Sequence, residues 1–209
     1  MRIKSIKWFF LLAGVLALGS AASFAQTDVA ASLYGAFTGT TTANGIQQSP
    51  SNAAGGLVEV RHISKPWLGY EGTYSYNRAN ESYLPLGYAC PVGNTTCVAP
   101  AAAAVKANAN ELTADWVASV KLVNLRPFAL VGGGVVFDVP VSGQTSTSTA
   151  SKPVFVYGAG LDWGLLPHLG LRVQYRGNLY NAPNLTQLFT SANKFTHTAE
   201  PMVGIYFRL

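Results

Sequence analysis

Nine charged residues fall, by their position in alternating stretches of sequence, on the same side as glycines and small polar residues. They comprise four acids and five bases: Glu59, Arg61, Glu71, Asp115, Lys121, Asp162, Arg172, Arg176 and Arg208. Ionised side chains that leave bulk water must pair, because an isolated buried ion costs several kcal/mol. The near balance of signs therefore predicts an internal network of salt bridges. Arg176, near the end of its stretch, fits a rim position in water equally well.

A second possible chemistry is hydrolysis by a nucleophile beside a histidine, and His197 is the residue best placed for it. The sequence there continues with Thr198, Ala199 and Glu200. A nucleophile must share a face with its base, whereas adjacent residues of a strand point to opposite faces. We therefore expect no enzyme. His62 and His168 fall beside predicted turns, where an imidazole commonly lies at an interface.

The predicted positions of the charged residues depend on strands. The alternation that indicates a strand is clearest in the segment 154–177. Alternate residues are mostly large and apolar from Phe155 to Trp163, and again from Leu169 to Tyr175, with small or polar residues between them. A period of two indicates strands, because successive side chains point to opposite faces of a pleated backbone. The short link at Pro167 predicts an antiparallel hairpin.

The same alternation recurs along the chain and predicts eight strands. They cover residues 30–42, 55–62, 67–77, 108–122 and 127–139, the two arms of 154–177, and 194–209. Short links near Pro66, Arg126 and Pro167 alternate with four longer connections, of which 80–107 is the longest. Segment 127–139 is apolar on both faces, so its alternation does not orient it.

The composition favours a membrane around one face of these strands. Charged residues make up 11% of the chain, against about 25% in ordinary soluble proteins. Strands of roughly ten residues with one apolar face, joined by alternating short and long connections, are typical of membrane barrels. A soluble eight-stranded barrel would instead place its aromatic residues inside and more charges outside. The sequence therefore predicts an all-β fold, an eight-stranded antiparallel up-and-down transmembrane β-barrel.

The first 25 residues have the features of a signal peptide. Basic residues precede an apolar run from Trp8 to Leu18, and small residues lead to Ala25. We expect cleavage before Gln26, which leaves 26–209 as a single barrel domain. Cleavage removes three of the 14 basic residues and none of the nine acidic ones, so the net charge falls to about +2. That balance is not typical of a nucleic-acid-binding protein.

Cys90 and Cys97 lie close together in a polar connection of a chain that we expect to be exported. A local disulfide is the expected state. A metal site would need further Cys or His residues beside them, and the sequence places none there. Gly132, Gly133 and Gly134 are not followed by the residues of a phosphate-binding loop, and we expect them to relieve crowding or to allow curvature in a strand. No metal or other cofactor is expected.

The C-terminal residues resemble the assembly signal of bacterial outer-membrane barrels. Gly204 is followed by apolar Phe207 and Leu209 at alternate positions, with Leu209 where an aromatic residue is usual. In strand number and loop rhythm, the whole of 26–209 resembles the small outer-membrane β-barrel domain typified by outer membrane proteins A and X. The resemblance implies a bacterial outer-membrane location, contact with outer-membrane lipid and lipopolysaccharide, insertion by the barrel-assembly machinery, and a monomer.

The bore of an eight-stranded barrel is only wide enough to be filled by its own side chains. We therefore expect a structural or surface-interaction protein that acts through its extracellular loops. The alternative is a narrow channel or lateral conduit for small apolar molecules. Some outer-membrane barrels are enzymes that modify lipid A. The sequence around His197 argues against a lipid A-modifying hydrolase.

Overall fold

The structure, a computed structural model, describes residues 26–87, 101–189 and 193–209. These ranges contain ten strands: β1 (Gln26–Thr38), β2 (Thr41–Ala43), β3 (Ile46–Pro50), β4 (Ala53–Lys65), β5 (Leu68–Pro85), β6 (Ala103–Ser119), β7 (Leu125–Pro140), β8 (Ala150–Gly164), β9 (Leu169–Asn181) and β10 (Phe195–Arg208). They include no helix long and apolar enough to cross a membrane.

Eight of the strands close into a barrel. Going round it, the order is β1, β4, β5, β6, β7, β8, β9 and β10, each antiparallel to its neighbours, and β10 pairs back onto β1. Closure leaves no unpaired edge, which a lipid environment would not tolerate. The strands β2 and β3 form a small hairpin that pairs with β5 above the barrel wall. The predicted fold class is confirmed.

Side chains alternate strictly between the interior and the outside, with the polarity inverted relative to a soluble protein. On β4, Val58 and Val60 are 51% and 53% exposed, whereas Glu59 and Arg61 are 1% and 0% exposed. A face of exposed Val, Leu and aromatic side chains is stable only against an apolar medium. The outward face is therefore the one that meets lipid.

The two ends of the barrel differ in their connections. At one end, which we call the turn end, short turns join β4 to β5, β6 to β7 and β8 to β9, and three exposed tryptophans, Trp67, Trp116 and Trp163, lie near it. At the other, the loop end, the connections are longer. Aromatic rings near both ends of an apolar band are typical of membrane barrels, because their amphipathic rings suit the headgroup level.

The longest connection predicted as a loop contains strand residues at both of its ends. The segment predicted as the 80–107 connection includes the last part of β5, to Pro85, and the start of β6, at Ala103, with Tyr83 paired to Ala103. Backbone pairing continues there although the outward residues, such as Arg78 and Asn80, become polar. Apolar alternation marks only the part of a strand that faces lipid, so it ends before the strand does.

The structure orients the strand that the sequence could not orient. Phe128, Leu130 and Val136 of β7 are buried inside the barrel, while Val131 and Phe137 face outward. The interior thus holds apolar side chains as well as charges. A Cβ at Gly132 would meet Asp115 and Ala114 of β6, so the glycine is needed for close approach of β6 and β7. This agrees with the expectation that the glycine run relieves crowding.

Candidate functional site

Arg172 of β9 is the centre of the charged interior. Its Nε lies 2.6 Å from Asp162 Oδ1 on β8, and one of its terminal nitrogens lies 3.0 Å from Asp28 Oδ1 on β1. The same guanidinium forms an ion pair with Glu59 of β4. Because these partners come from different sides of the barrel, Arg172 ties its walls together across the bore.

A second arginine extends this network. Arg61 of β4 contacts Glu71 Oε2 through a terminal nitrogen at 2.6 Å, and it also lies 3.5 Å from Asp162 and 3.6 Å from Glu59. Its guanidinium carbon stands 4.0 Å from the centroid of the Phe128 ring. Attraction between a guanidinium and an aromatic ring stabilises their contact, and more so when the pair is out of water.

The third arginine, Arg176, lies nearer the loop end. Its terminal nitrogens donate hydrogen bonds to the hydroxyls of Thr73 and Thr113, both at 3.0 Å. Glu111 and Asp115 lie 3.4 Å and 3.7 Å from it. Arg176 is fully buried. The rim position that the sequence allowed for it is therefore wrong.

Seven of the nine charged residues predicted to face the bore are buried there: Glu59, Arg61, Glu71, Asp115, Asp162, Arg172 and Arg176. Lys121 is a correction, because it is exposed in the turn that follows β6. β6 ends at Ser119, so alternation no longer controls the direction of its side chain. Arg208 is half-buried at the turn end, beside the Tyr206 ring.

Six further charged residues, which were not predicted to face the bore, are also buried: Asp28, Glu81, Glu111, Arg126, Asp138 and Glu200. Asp28 shares its phase with the first residue of the predicted first strand, and Glu200 shares its phase with Met202. Extending the first predicted strand by two residues would have found Asp28, and the alternation within the predicted strand 194–209 already placed Glu200 on the same face as Met202. Glu81 lies in a segment predicted as a loop, and Asp138 lies on the strand that could not be oriented.

Acidic side chains are confined to the interior of the barrel. All nine acidic residues of the chain are buried. The buried bases are four arginines, Arg61, Arg126, Arg172 and Arg176. The other bases of the described ranges are exposed or half-buried: Lys65, Arg78, Lys106, Lys121, Lys152, Lys194 and Arg208. The interior is therefore rich in carboxylates, and every charged side chain on the outside is basic.

The loop end of the barrel is closed by the segment 182–189, which follows β9. Leu185 is fully buried in an apolar cluster with Ile46, Tyr83 and Val105. The Tyr83 hydroxyl accepts a hydrogen bond from the Leu185 amide at 2.9 Å and donates to the Pro183 carbonyl at 3.2 Å. Backbone and side-chain bonds thus hold this segment, which we call the cap, across the mouth.

An acid-lined cavity lies at this end of the barrel interior. Its walls include Glu81, Glu111, Asp138 and Glu200, together with Asn178. Its volume is about 40 Å³, enough for a few water molecules. The cavity reaches the exposed residue Ser51 after β3, and is not a passage through the barrel, because the three arginines and their partners fill the bore beyond it.

Glu81 lies beyond the apolar band of β5, and its carboxyl should make stability depend on pH. Burial raises its pKa to about 8, the hydrogen bond from Gln48 lowers it, and the charge of Asp138 raises it. Because the unfolded value is about 4.5, the folded state holds the proton more tightly, and stability falls as pH rises from about 4.5 through about 8. The loss is on the order of 5 kcal/mol at most, at about 1.4 kcal/mol per pKa unit.

We therefore expect Glu81→Gln to flatten the pH dependence of the urea unfolding midpoint and to be more stable than the parent at pH 8 and above. The amide keeps a hydrogen-bond acceptor for Gln48 and removes the charge. Midpoints measured every half unit between pH 5 and 9 test this. Parallel curves for the variant and the parent would show that Glu81 does not titrate in this interval.

The histidines make local contacts only. His197 lies on the outside, where its Nε2 is 3.0 Å from the Tyr157 hydroxyl. Thr198 points inward and shares hydrogen bonds with Thr38 and Tyr180. The two residues therefore do not form a nucleophile–base pair. His62 and His168 contact Thr27 Oγ1 and the Arg208 carbonyl, respectively, near the turn end.

Three other predicted features concern metal binding, the cysteines and the C-terminal segment. Within the described residues, no group of three or more His, Cys, Asp or Glu side chains is arranged to hold a metal ion. Cys90 and Cys97 lie outside the described residues. The C-terminal segment forms β10, where Gly204 pairs with Ser32 of β1 and both Phe207 and Leu209 are exposed. It thus completes the closure of the barrel.

No protein-family model matches the sequence, and no curated protein matches it either. Solved structures do match. Neisserial surface protein A has a TM-score of 0.59 at 13% identity, covering 88% of this chain and 99% of that one. OprG of Pseudomonas aeruginosa has a TM-score of 0.58 at 9% identity, covering 88% and 96%. Ail of Yersinia pestis, in complex with the heparin analogue sucrose octasulfate, has a TM-score of 0.53 at 15% identity, covering 90% and 100%.

Identities this low establish the fold and nothing finer. The chain has the fold of the small eight-stranded outer-membrane β-barrels. A charged, filled interior and an apolar outward face agree with that class of protein.

Proposed function

We propose that this protein is a closed outer-membrane barrel that acts through its outer surface, by interaction with anionic groups at the loop end. The supporting observation is the separation of charge: all nine acidic residues are buried, so no exposed acidic side chain opposes the exposed bases. A filled bore leaves the outer surface as the place where such a protein can act.

Four bases give the loop end its charge: Arg78, Lys106, Lys152 and Lys194. Clustered basic residues near a membrane surface attract anionic headgroups at about 1 kcal/mol each. We propose lipopolysaccharide as the anionic partner. The complex of the Yersinia pestis protein with a sulfated heparin analogue adds a precedent for an anionic ligand on this fold.

The setting of this function is also a proposal. Residues 1–25 serve as a signal peptide, and the mature barrel lies in the bacterial outer membrane as a monomer. The barrel-assembly machinery inserts it through the C-terminal signal at Gly204, Phe207 and Leu209, and the connection between β5 and β6 is closed by a disulfide between Cys90 and Cys97. The fold and the sequence patterns support each of these statements.

Binding to lipopolysaccharide, measured with the folded protein in a neutral detergent, tests the proposal. Lys106→Gln combined with Lys194→Gln should weaken binding by at least about tenfold, at roughly 1 kcal/mol per base. Lys65→Gln combined with Lys121→Gln is the matched control, because it removes two exposed lysines from the turn end. Equal loss from both pairs would mean that total charge, and not the loop end, determines binding.

Planar-bilayer recordings separate this function from the narrow channel or lateral conduit. The buried arginine network and the cap predict no large, steady, ion-selective conductance from the parent protein. A stable open pore in the parent would overturn the closed barrel and favour the channel. Uptake of a small apolar molecule by liposomes that show no conductance would favour the lateral conduit.

A further inference from the structure

We propose that the acid-lined cavity at the loop end binds a monovalent ammonium-type cation, either the ammonium ion or the primary ammonium group of a small ligand. This site differs from the outer basic surface, since it lies inside the barrel and has the opposite charge. Its recognition chemistry is donation of N–H hydrogen bonds to a set of buried acceptors.

The first argument comes from hydrogen-bond partners. Three atoms on the cavity wall are buried without one: Asp138 Oδ2, Glu200 Oε2 and Asn178 Oδ1. Their residues are 8%, 2% and 1% exposed. All three atoms are acceptors. Buried acceptors in a native protein are satisfied by a protein donor, by water or by an ion, so this wall requires a donor from outside the chain.

The orientation of the Asn178 amide strengthens this argument. Its Nδ2 donates to Glu111 Oε2 at 2.9 Å, which fixes the amide so that its oxygen is left for the cavity. The asparagine therefore adds a neutral acceptor to the carboxylates. A primary ammonium group has three N–H donors and no acceptor, which suits a wall whose unpartnered atoms are all acceptors.

Charge provides the second argument. Four carboxyl groups line the cavity, and its described wall contains no lysine or arginine. The nearest buried base to them is Arg176, which contacts Glu111 and is already engaged with Thr73 and Thr113. Carboxylates crowded in a site of low dielectric favour a bound cation.

Size and geometry select the class of cation. About 40 Å³ accommodates a small ion with one or two waters, and excludes a large organic cation. A divalent metal would need several carboxylates at ligating distance, and the described residues contain no such group. Access is available beside Ser51, which is exposed at the cavity wall.

The experiment measures the urea unfolding midpoint of the full, folded chain in detergent at pH 8.5, above the pKa of about 8 for Glu81, while ammonium chloride replaces sodium chloride at constant ionic strength. Parallel series use methylammonium, potassium and tetramethylammonium chlorides. We expect a saturable rise with ammonium, with methylammonium, or with both, and none with tetramethylammonium, which has no N–H donor. A rise of the midpoint with ammonium alone would indicate that the site binds the free ammonium ion. A larger rise with methylammonium would indicate a ligand with a primary ammonium group.

Asp138→Asn and Glu200→Gln should each weaken the apparent ammonium affinity by about tenfold or more, the effect of losing one charge-assisted hydrogen bond. Asp28→Asn is the control, because it removes a buried carboxylate at the turn end. It should change the starting midpoint and leave the ammonium dependence unaltered.

Three results would overturn the proposal. They are an equal effect of all cations, no saturable effect of any cation, and an ammonium effect that survives both cavity substitutions. If neither cavity variant folds, the line width of ¹⁵N-ammonium with the folded parent decides. Broadening that disappears after boiling supports the site, and equal line widths before and after boiling exclude it.

Discussion

Replacement of Arg172 by methionine should lower the free energy of unfolding by about 3–5 kcal/mol, which is the usual cost of removing one partner from a buried ion pair. The reason is the set of groups left behind. Asp28, Glu59 and Asp162 would remain buried with one of their cations removed. Methionine fills much of the same volume, so the effect reports charge more than packing.

Gln174→Met is the matched control for this substitution. Gln174 lies on the same strand and the same inner face, is 3% exposed, and neither polar atom of its amide has a hydrogen-bond partner. Removing an unsatisfied polar group is close to neutral or stabilising, so we expect a change within about 1 kcal/mol.

Urea unfolding of both variants in the same detergent or lipid gives the comparison. Adding Glu59→Gln to Arg172→Met should recover part of the lost free energy of unfolding, because it neutralises one of the carboxylates that Arg172 no longer pairs with. An Arg172→Met variant as stable as Gln174→Met would mean that the interior network contributes nothing measurable to stability.

Val173→Arg should prevent stable insertion of the barrel into a bilayer. Val173 is on β9, immediately after Arg172, and its side chain points outward with 57% exposure. It lies in the apolar outward band, with exposed Tyr175 two residues nearer the loop end and the exposed tryptophans near the turn end. An arginine facing lipid near the middle of the bilayer costs about 2–4 kcal/mol.

Leu188→Arg provides the control, because Leu188 is 62% exposed but belongs to the cap outside that band. The same substitution at similar exposure should be tolerated. Insertion is measured as the fraction that migrates as folded protein on unboiled gels, since a closed hydrogen-bonded barrel resists detergent until it is heated. Equal loss of folded protein in both variants would show that Val173 does not face lipid.

The alternation of single residues predicted the barrel together with the low charge content and the short and long connections, because each residue of a membrane strand must match either lipid or the bore. Val58 and Glu59 show the rule at its simplest, since adjacent positions meet opposite environments. The number of strands, their approximate positions and the burial of most nominated charges could all be read in this way. The rule failed at Lys121, where the strand had ended, and in 127–139, where apolar side chains pack on both sides of the wall.

The pairing of particular charges was decided only by the tertiary structure. Asp28 and Arg172 are 144 residues apart in the chain, yet barrel closure brings them to 3.0 Å. Strand register and the stagger of the barrel determine which side chains share a layer, and neither is encoded in the alternation of one strand. The cap and the acid-lined cavity depend on contacts between distant loops, such as Gln48 with Pro183. Periodicity predicts whether each residue faces lipid or the bore. The site depends on which inward-facing residues the closure of the barrel brings into contact.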